Sequence, residues 1–206
     1  FLIMVCALYF NKQLDLMLNT DPGFRTKNII LARLIYSSQD FNNFSEEKWQ
    51  QERTRNHAIR NKVKTCPLAE STESAWDKII GENYKTTYIT PEGNKASLVR
   101  HCVSPLFFKM FDIDLEEGIL PEDGEKRYYV MNRAAMKALQ LTALEGASVI
   151  EENRYRSNKN VAFYPISAIS EDCYNGHLSM GANPIIYEID ELWGESEYIA
   201  YQEGKL

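Results

Sequence analysis

The opening stretch constrains the fold most. Phe1 to Phe10 (FLIMVCALYF) is apolar almost without exception, and it passes unbroken into NKQLDLMLNT before Asp21-Pro22-Gly23. Leu8, Leu14, Met17 and Leu18 keep helical spacing beyond the run, while Asn11, Lys12 and Asp15 mark a polar face. Proline cannot continue a helix and disfavours it in the residue before, so the helix is expected to stop at Asp-Pro-Gly. A helical bilayer crossing takes about 20 apolar residues, more than this run supplies. Residues 1–22 therefore read as the outer end of a longer transmembrane helix, and residues 23–206 as a domain just outside a membrane. A signal peptide fits poorly, because neither a basic leading region nor a small-residue cleavage site is present.

The 206 residues suffice for one ordinary domain or two small lobes with a substantial core. An apolar content of 44% and a charged content of 25% are globular values and argue against disorder. The net charge of −6 leaves no basic face for nucleic acid, and the scattered Lys and Arg form no polybasic patch for anionic lipid. Cys6, Cys66, Cys102 and Cys173 show no C-x-x-C spacing, which excludes the common zinc and thioredoxin-type motifs. In an oxidising compartment two of the last three could pair; the favoured reading is buried free thiols.

Lys27 to Tyr36 has the composition of a buried strand. A helix over about Glu46 to Lys64 comes next, with Ser45 as N-cap, acids in its first turn and Lys62 and Lys64 in its last. Phe44 and Trp49 have the spacing of a hydrophobic staple. Trp49, Asn56, Ile59 and Val63 share one face, so the helix should cover a sheet in a β-α-β start continuing at Cys66 to Ala69. Tyr84 to Thr90 and Ala96 to Val103 read as strands around the turn Pro91-Glu92-Gly93-Asn94. Ser104-Pro105 opens a short helix, Leu106 to Phe111. Brief extended segments are expected at Ile113 to Leu115, ending at Gly118, and at Tyr128 to Met131. Asn132 should cap a helix from Arg133 to about Leu141. Ala147 to Arg156, Val161 to Glu171, Ile185 to Ile189 and Tyr198 to Glu203 carry strand composition. The order predicts a two-lobed α+β domain.

No catalytic, cofactor-binding or metal-binding residue is expected. His57, His101 and His177 are far apart and lack ligand spacing. Asp112 to Gly118 alternates carboxylates without the EF-hand pattern and reads as the wet side of a strand. Ser45-Glu46-Glu47-Lys48 matches S-x-x-K, but its S-D-N and K-T-G partners are missing, and helix capping explains the serine. Nucleophile-elbow, Walker and dinucleotide motifs are absent. The pairs Glu151-Glu152 and Glu171-Asp172 point to opposite faces if extended, so neither forms a dyad. Asn43-Phe44-Ser45 is a glycosylation sequon by pattern alone. Tyr187 to Tyr198 (YEIDELWGESEY) mixes acids with aromatics and reads either as a contact surface or as a solvated loop beside a core tryptophan.

Several phrases together resemble the periplasmic core domain of FtsX-like, MacB-type ABC transporter permeases, in particular those abundant in Bacteroides-like bacteria. They are Gln13-Leu14-Asp15-Leu16-Met17-Leu18-Asn19, the turn Asp21-Pro22-Gly23-Phe24 and Asn28-Ile29-Ile30. Val103-Ser104-Pro105-Leu106-Phe107-Phe108, Ile113-Asp114-Leu115-Glu116-Glu117-Gly118 and Val130 to Leu139 continue the series. The resemblance departs from the family at Ile166 to Cys173 and at the shortened Leu144-Glu145-Gly146.

The resemblance implies a stalk at 1–22, a porter-like β-α-β lobe at 23–82, an inserted mixed α/β lobe at 83–180 and a return to the first lobe at 181–206. It also implies a non-catalytic domain on the periplasmic side of the inner membrane. That domain would couple ATP hydrolysis by a cytoplasmic subunit to periplasmic movement, pair with a second permease copy, and contact substrate or an adaptor. The rival reading is a ligand-sensing extracytoplasmic domain of a signalling receptor; an envelope hydrolase ranks third.

Overall fold

The computed structural model describes residues 2–33, 45–75, 84–121, 128–158, 161–174, 181–189 and 196–201. Helix α1 (Leu2–Asn19) occupies the apolar opening and gives way to a bend at Thr20, ahead of Pro22. Its side chains from Ile3 to Asp15 are exposed, Ile3 to 85%. Among the described residues no helix is long and apolar enough to cross a membrane.

A first, three-stranded sheet is built from β1 (Ile29–Arg33), β2 (Ala69–Ala75) and β10 (Ser196–Tyr201) in the order β1-β10-β2. Both β1 and β2 run antiparallel to β10, so they are parallel to each other with the last strand between them. Helix α2 (Glu46–Lys64) connects them, which makes a split β-α-β unit. Ser45 caps α2, its hydroxyl accepting from the Lys48 N–H at 3.4 Å. Asn56 and Arg60 are buried and Ile59 and Val63 half-buried, a stripe at helical spacing. The Phe44–Trp49 staple and the sequon's Asn43 lie outside the described residues.

The larger sheet has seven strands in the order β5-β8-β6-β9-β4-β3-β7. They are β3 (Lys85–Ile89), β4 (Lys95–Val103), β5 (Leu115–Gly118), β6 (Tyr128–Asn132), β7 (Ser148–Glu151), β8 (Tyr164–Ser170) and β9 (Ile185–Ile189). Short helices α3 (Leu106–Met110), α4 (Arg133–Ala138) and α5 (Glu152–Ser157) punctuate them. β7 also pairs with β8, Ser148 opposite Pro165 and Val149 opposite Tyr164, which closes a ring of pairings β8-β6-β9-β4-β3-β7. The segment at 181–206 is divided: β9 belongs to this sheet, between β4 and β6, whereas β10 belongs to the smaller one.

Strand alternation sorts the core in two. Val99, Val103, Val130, Ile185, Tyr187 and Ile189 join Phe107 and Phe111 of the α3 region in one cluster. Leu98, Tyr129, Met131 and Ile186 join Ala135, Met136 and Leu139 of the α4 region in the other. Every residue of β6 and β9 is buried, so these strands lack a polar period-two signature. Tyr198 and Ala200 of β10 belong to the first cluster, so one apolar core spans both sheets.

Two segments differ from expectation. The predicted strand Ala147 to Arg156 breaks after Glu151 into α5, because Glu152 and Arg156, four apart, pair at 3.0 Å and Ser157 donates to the Asn153 carbonyl, satisfying a helical turn. The helix predicted to reach Leu141 stops at Ala138. Gln140 takes a left-handed φ of 58°, and the Leu141 and Gln140 N–H groups bond back to the Met136 and Lys137 carbonyls. That is a Schellman stop made without its customary glycine.

Candidate functional site

The feature with the clearest mechanical meaning is the turn that leads out of α1. Asp21 Oδ1 accepts from the Gly23 N–H at 2.9 Å and tightens the bend that Pro22 starts. The Pro22 carbonyl then accepts from the Tyr174 N–H at 2.8 Å, and the Arg25 N–H donates to the Phe111 carbonyl at 2.6 Å. Between them Phe24 is buried, edge-on to Phe111 with ring centroids 6.4 Å apart. The Arg25 guanidinium pairs with Glu70 of β2 at 3.2 Å. Residues 21–25 thus hold the larger lobe at Phe111 and Asp172–Tyr174 and the smaller one at Glu70, before the chain enters β1.

Gly23 makes this close approach possible. Its φ is +76°, and a Cβ there would stand 2.9 Å from the Asp172 carbonyl oxygen and 3.3 Å from the Cys173 Cα. Gly23→Ala should cost about 2–3 kcal/mol, from the left-handed backbone and the clash together. Urea unfolding of the variant checks this, and a loss below about 0.5 kcal/mol would mean the turn detaches freely from the lobe.

A second contact locks the lobes together. Glu73 of β2 is buried; its carboxylate accepts from the Ser104 N–H at 3.0 Å and from the Ser104 hydroxyl at 2.8 Å. The Ser104 oxygen in turn accepts from the Leu106 N–H at 3.2 Å, at the start of α3. Nothing in the local sequence announces Glu73: AESTESA is polar, and only the fold turns that one acid inward. A third cluster lies on the second face of the larger sheet. Glu188, 3% exposed, pairs with Arg100 at 2.5 Å and faces Arg154 at 3.9 Å; Cys102 donates to it at 3.7 Å.

The residues weighed for chemistry are dispersed. His57 is exposed on α2 beside Asn61, whereas His101 is buried and stacked on Tyr187; His177 lies outside the described residues. Asp112, Asp114 and Glu116 are all exposed, with Ile113 buried between the first two. Glu151 pairs with Arg154; Glu152 holds Lys95 and Arg156, whose hydrogen bonds keep its carboxyl below the ordinary range. Asp172 accepts from the Ala134 N–H at 3.0 Å, while Glu171 is exposed. All four cysteines carry free thiols, and burial pushes that of Cys173 up, away from a nucleophilic thiolate. Tyr187 and Tyr198, read as ends of an exposed segment, are both core residues because their strands are sandwiched between elements. Among the described residues no group of three His, Cys, Asp or Glu is placed to hold a metal ion.

His101 has a pH consequence. Burial lowers its pKa from 6.5 to about 4. The unfolded chain then binds the extra proton between those values, so its contribution is complete above pH 6.5 and is lost as pH falls toward 4. The loss should approach about 3 kcal/mol, and His101→Phe should flatten that slope in urea titrations at stepped pH.

The architecture is a mixed α/β domain with a split β-α-β lobe packed against a larger, partly closed sheet, and it is the fold of extracytoplasmic domains of ABC-type transporters. The extracellular domain of the noncanonic ABC-type transporter YknZ from Gram-positive bacteria superposes with a TM-score of 0.55 at 11% identity, over 86% of this chain and 85% of that one. The periplasmic region of MacB from Actinobacillus actinomycetemcomitans gives 0.55 at 12% identity, over 92% and 81%. A domain of a protein described as a permease from Porphyromonas gingivalis gives 0.51 at 12%, over 73% and 68%. No protein-family model matches the chain, and no curated protein matches it in sequence.

Proposed function

We propose that this chain is the extracytoplasmic domain of an FtsX-like, MacB-type ABC transporter permease of the kind found in Bacteroides-like bacteria. It works without catalysis, on the periplasmic side of the inner membrane. The observation that carries the reading is the fold shared with the MacB periplasmic region over 92% of this chain. Cytoplasmic ATP hydrolysis by a partner subunit drives a dimer of permease copies, and the movement reaches an adaptor or substrate through this domain. Its parts are the stalk 1–22, the porter-like lobe from residue 23, the larger lobe, and the return to the first lobe. Within the return, 181–206, β10 is the strand that pairs with β1 and β2.

In this mechanism α1 is a lever, and its exit turn passes displacement to both lobes at once as a rigid body. The test uses the full-length permease with its ATPase and spin labels on the exposed turn residue Glu92 of each copy. A nucleotide-dependent change in the label distance is expected, and Leu14→Pro should abolish it by breaking α1 while the urea midpoint of the domain stays unchanged. An undiminished distance change in Leu14→Pro would overturn the lever.

A further inference from the structure

The ring of pairings β8-β6-β9-β4-β3-β7 has an inside, lined by apolar side chains such as Leu98, Tyr129 and Ile186. Polar groups share it. Strand alternation turns Arg100 to the side of Leu98, Glu188 to the side of Ile186 and Thr86 to the side of Tyr88. From β3 the Tyr88 ring meets Tyr129 of β6 edge-on, with centroids 5.7 Å apart, and Tyr129 stands opposite Glu188 in register. Since β3 and β6 are not neighbours in the sheet, that contact crosses the interior.

Three buried polar atoms here have no hydrogen-bond partner among the described residues: the Tyr88 hydroxyl, the Thr86 hydroxyl and the Arg100 Nε. Tyr88 is 0% exposed and Thr86 6%. Burial first, then Tyr129, raises the pKa of Tyr88; Arg100 acts against them and Glu188 with them, so both charges lie near that hydroxyl. It stays a neutral O–H. Stranding three such groups would forfeit a large part of a domain's whole stability. Folded proteins meet that demand with ordered internal water.

The charges around the space select its occupant. A cation would meet the guanidiniums of Arg100 and Arg154, and an anion would meet the Glu188 carboxylate that they flank. An apolar molecule would leave all three atoms unpaired. The Arg100 Nε–H only donates, whereas each hydroxyl can donate and accept, so the occupant must be neutral and do both. Water meets every condition.

We infer that the strand ring encloses a hydrated site, in which internal water bonds the Tyr88 hydroxyl and the Arg100 Nε–H and links them to the Glu188 carboxylate. The Thr86 hydroxyl is a further anchor. The site opens toward solvent at Arg100 and Arg154, whose side chains are 23% and 35% exposed, so its water exchanges without the strands parting.

Water-oxygen magnetic relaxation dispersion on the 206-residue chain reads water that stays bound longer than the protein tumbles. Tyr88→Phe should lower the dispersion amplitude by the share of at least one water. Tyr201→Phe, which removes a hydroxyl outside the ring, should leave it unchanged. An unchanged amplitude in Tyr88→Phe would overturn the proposal. A high-resolution crystal structure of the unmutated chain, soaked in bromide, keeps the test decisive if Tyr88→Phe misfolds. Water density within hydrogen-bond distance of both the Tyr88 hydroxyl and the Arg100 Nε is expected. Anomalous bromide density at that position would overturn the proposal in favour of an anion site. So would direct bonds from both groups to other protein atoms with no density between them.

Discussion

Arg100→Ala lowers the unfolding free energy by about 3–5 kcal/mol, the largest loss expected from a single side-chain truncation here. Glu188 is 3% exposed on a strand buried along its whole length, and Arg100 is its near partner at 2.5 Å. With the guanidinium gone, the carboxylate keeps Arg154 at 3.9 Å and a thiol donor at 3.7 Å. A buried charge so weakly compensated is far costlier than the pair was favourable, because the attraction in the native protein mostly offsets the desolvation of both ions. The double variant Arg100→Leu with Glu188→Leu should therefore return to within about 1–2 kcal/mol of wild type. Urea melts of Arg100→Leu, Glu188→Leu and the double variant supply the cycle. A loss below about 1 kcal/mol for Arg100→Ala would show that solvent reaches Glu188 and that the cluster is a surface feature.

Asn132→Ala comes close behind, at about 3–4 kcal/mol. The side chain is 0% exposed and spends every polar atom. Its Oδ1 accepts from the Ala135 N–H at 3.0 Å, capping α4, and from the Ile185 N–H at 2.9 Å, at the start of β9. Its Nδ2 donates to the Asn183 carbonyl at 2.8 Å. Truncation strands three buried backbone groups and opens a small void beside them. Asn132→Ser should recover part of the loss, since a hydroxyl still caps α4 but does not reach across to β9. The order wild type, Ser, Ala in urea midpoints is the check; equal midpoints for Ser and Ala would mean that the long-range bonds, not the cap, carry the stability.

Asn132 also shows how far local reading extends. Its capping role is legible because a cap is a bond across three residues, written in Asn-Arg-Ala-Ala. Its bonds to Asn183 and Ile185 span about fifty residues and have no local signature. The same division holds for the elements. α1, α2 and β3 to β4 follow from helical spacing, caps and a Pro-Glu-Gly-Asn turn. α5 is missed because Ser148 to Ile150 has strand composition and the switch after Glu151 depends on a charge pair four residues apart. Gly23 is legible as a helix stop; its close approach to Asp172 is not.

The chain's own sequence therefore determined an exposed apolar helix ending at Asp-Pro-Gly, the two-lobed α+β class and the absence of a familiar catalytic motif, all of which rest on composition, short-range sterics and residue spacing. Tertiary structure alone decided that β10 inserts between β1 and β2, that β7 closes onto β8, and that Glu73, Glu188 and His101 turn inward. Those outcomes depend on which strands meet after distant loops close, and that pairing is settled by the shared burial of two sheets on one core.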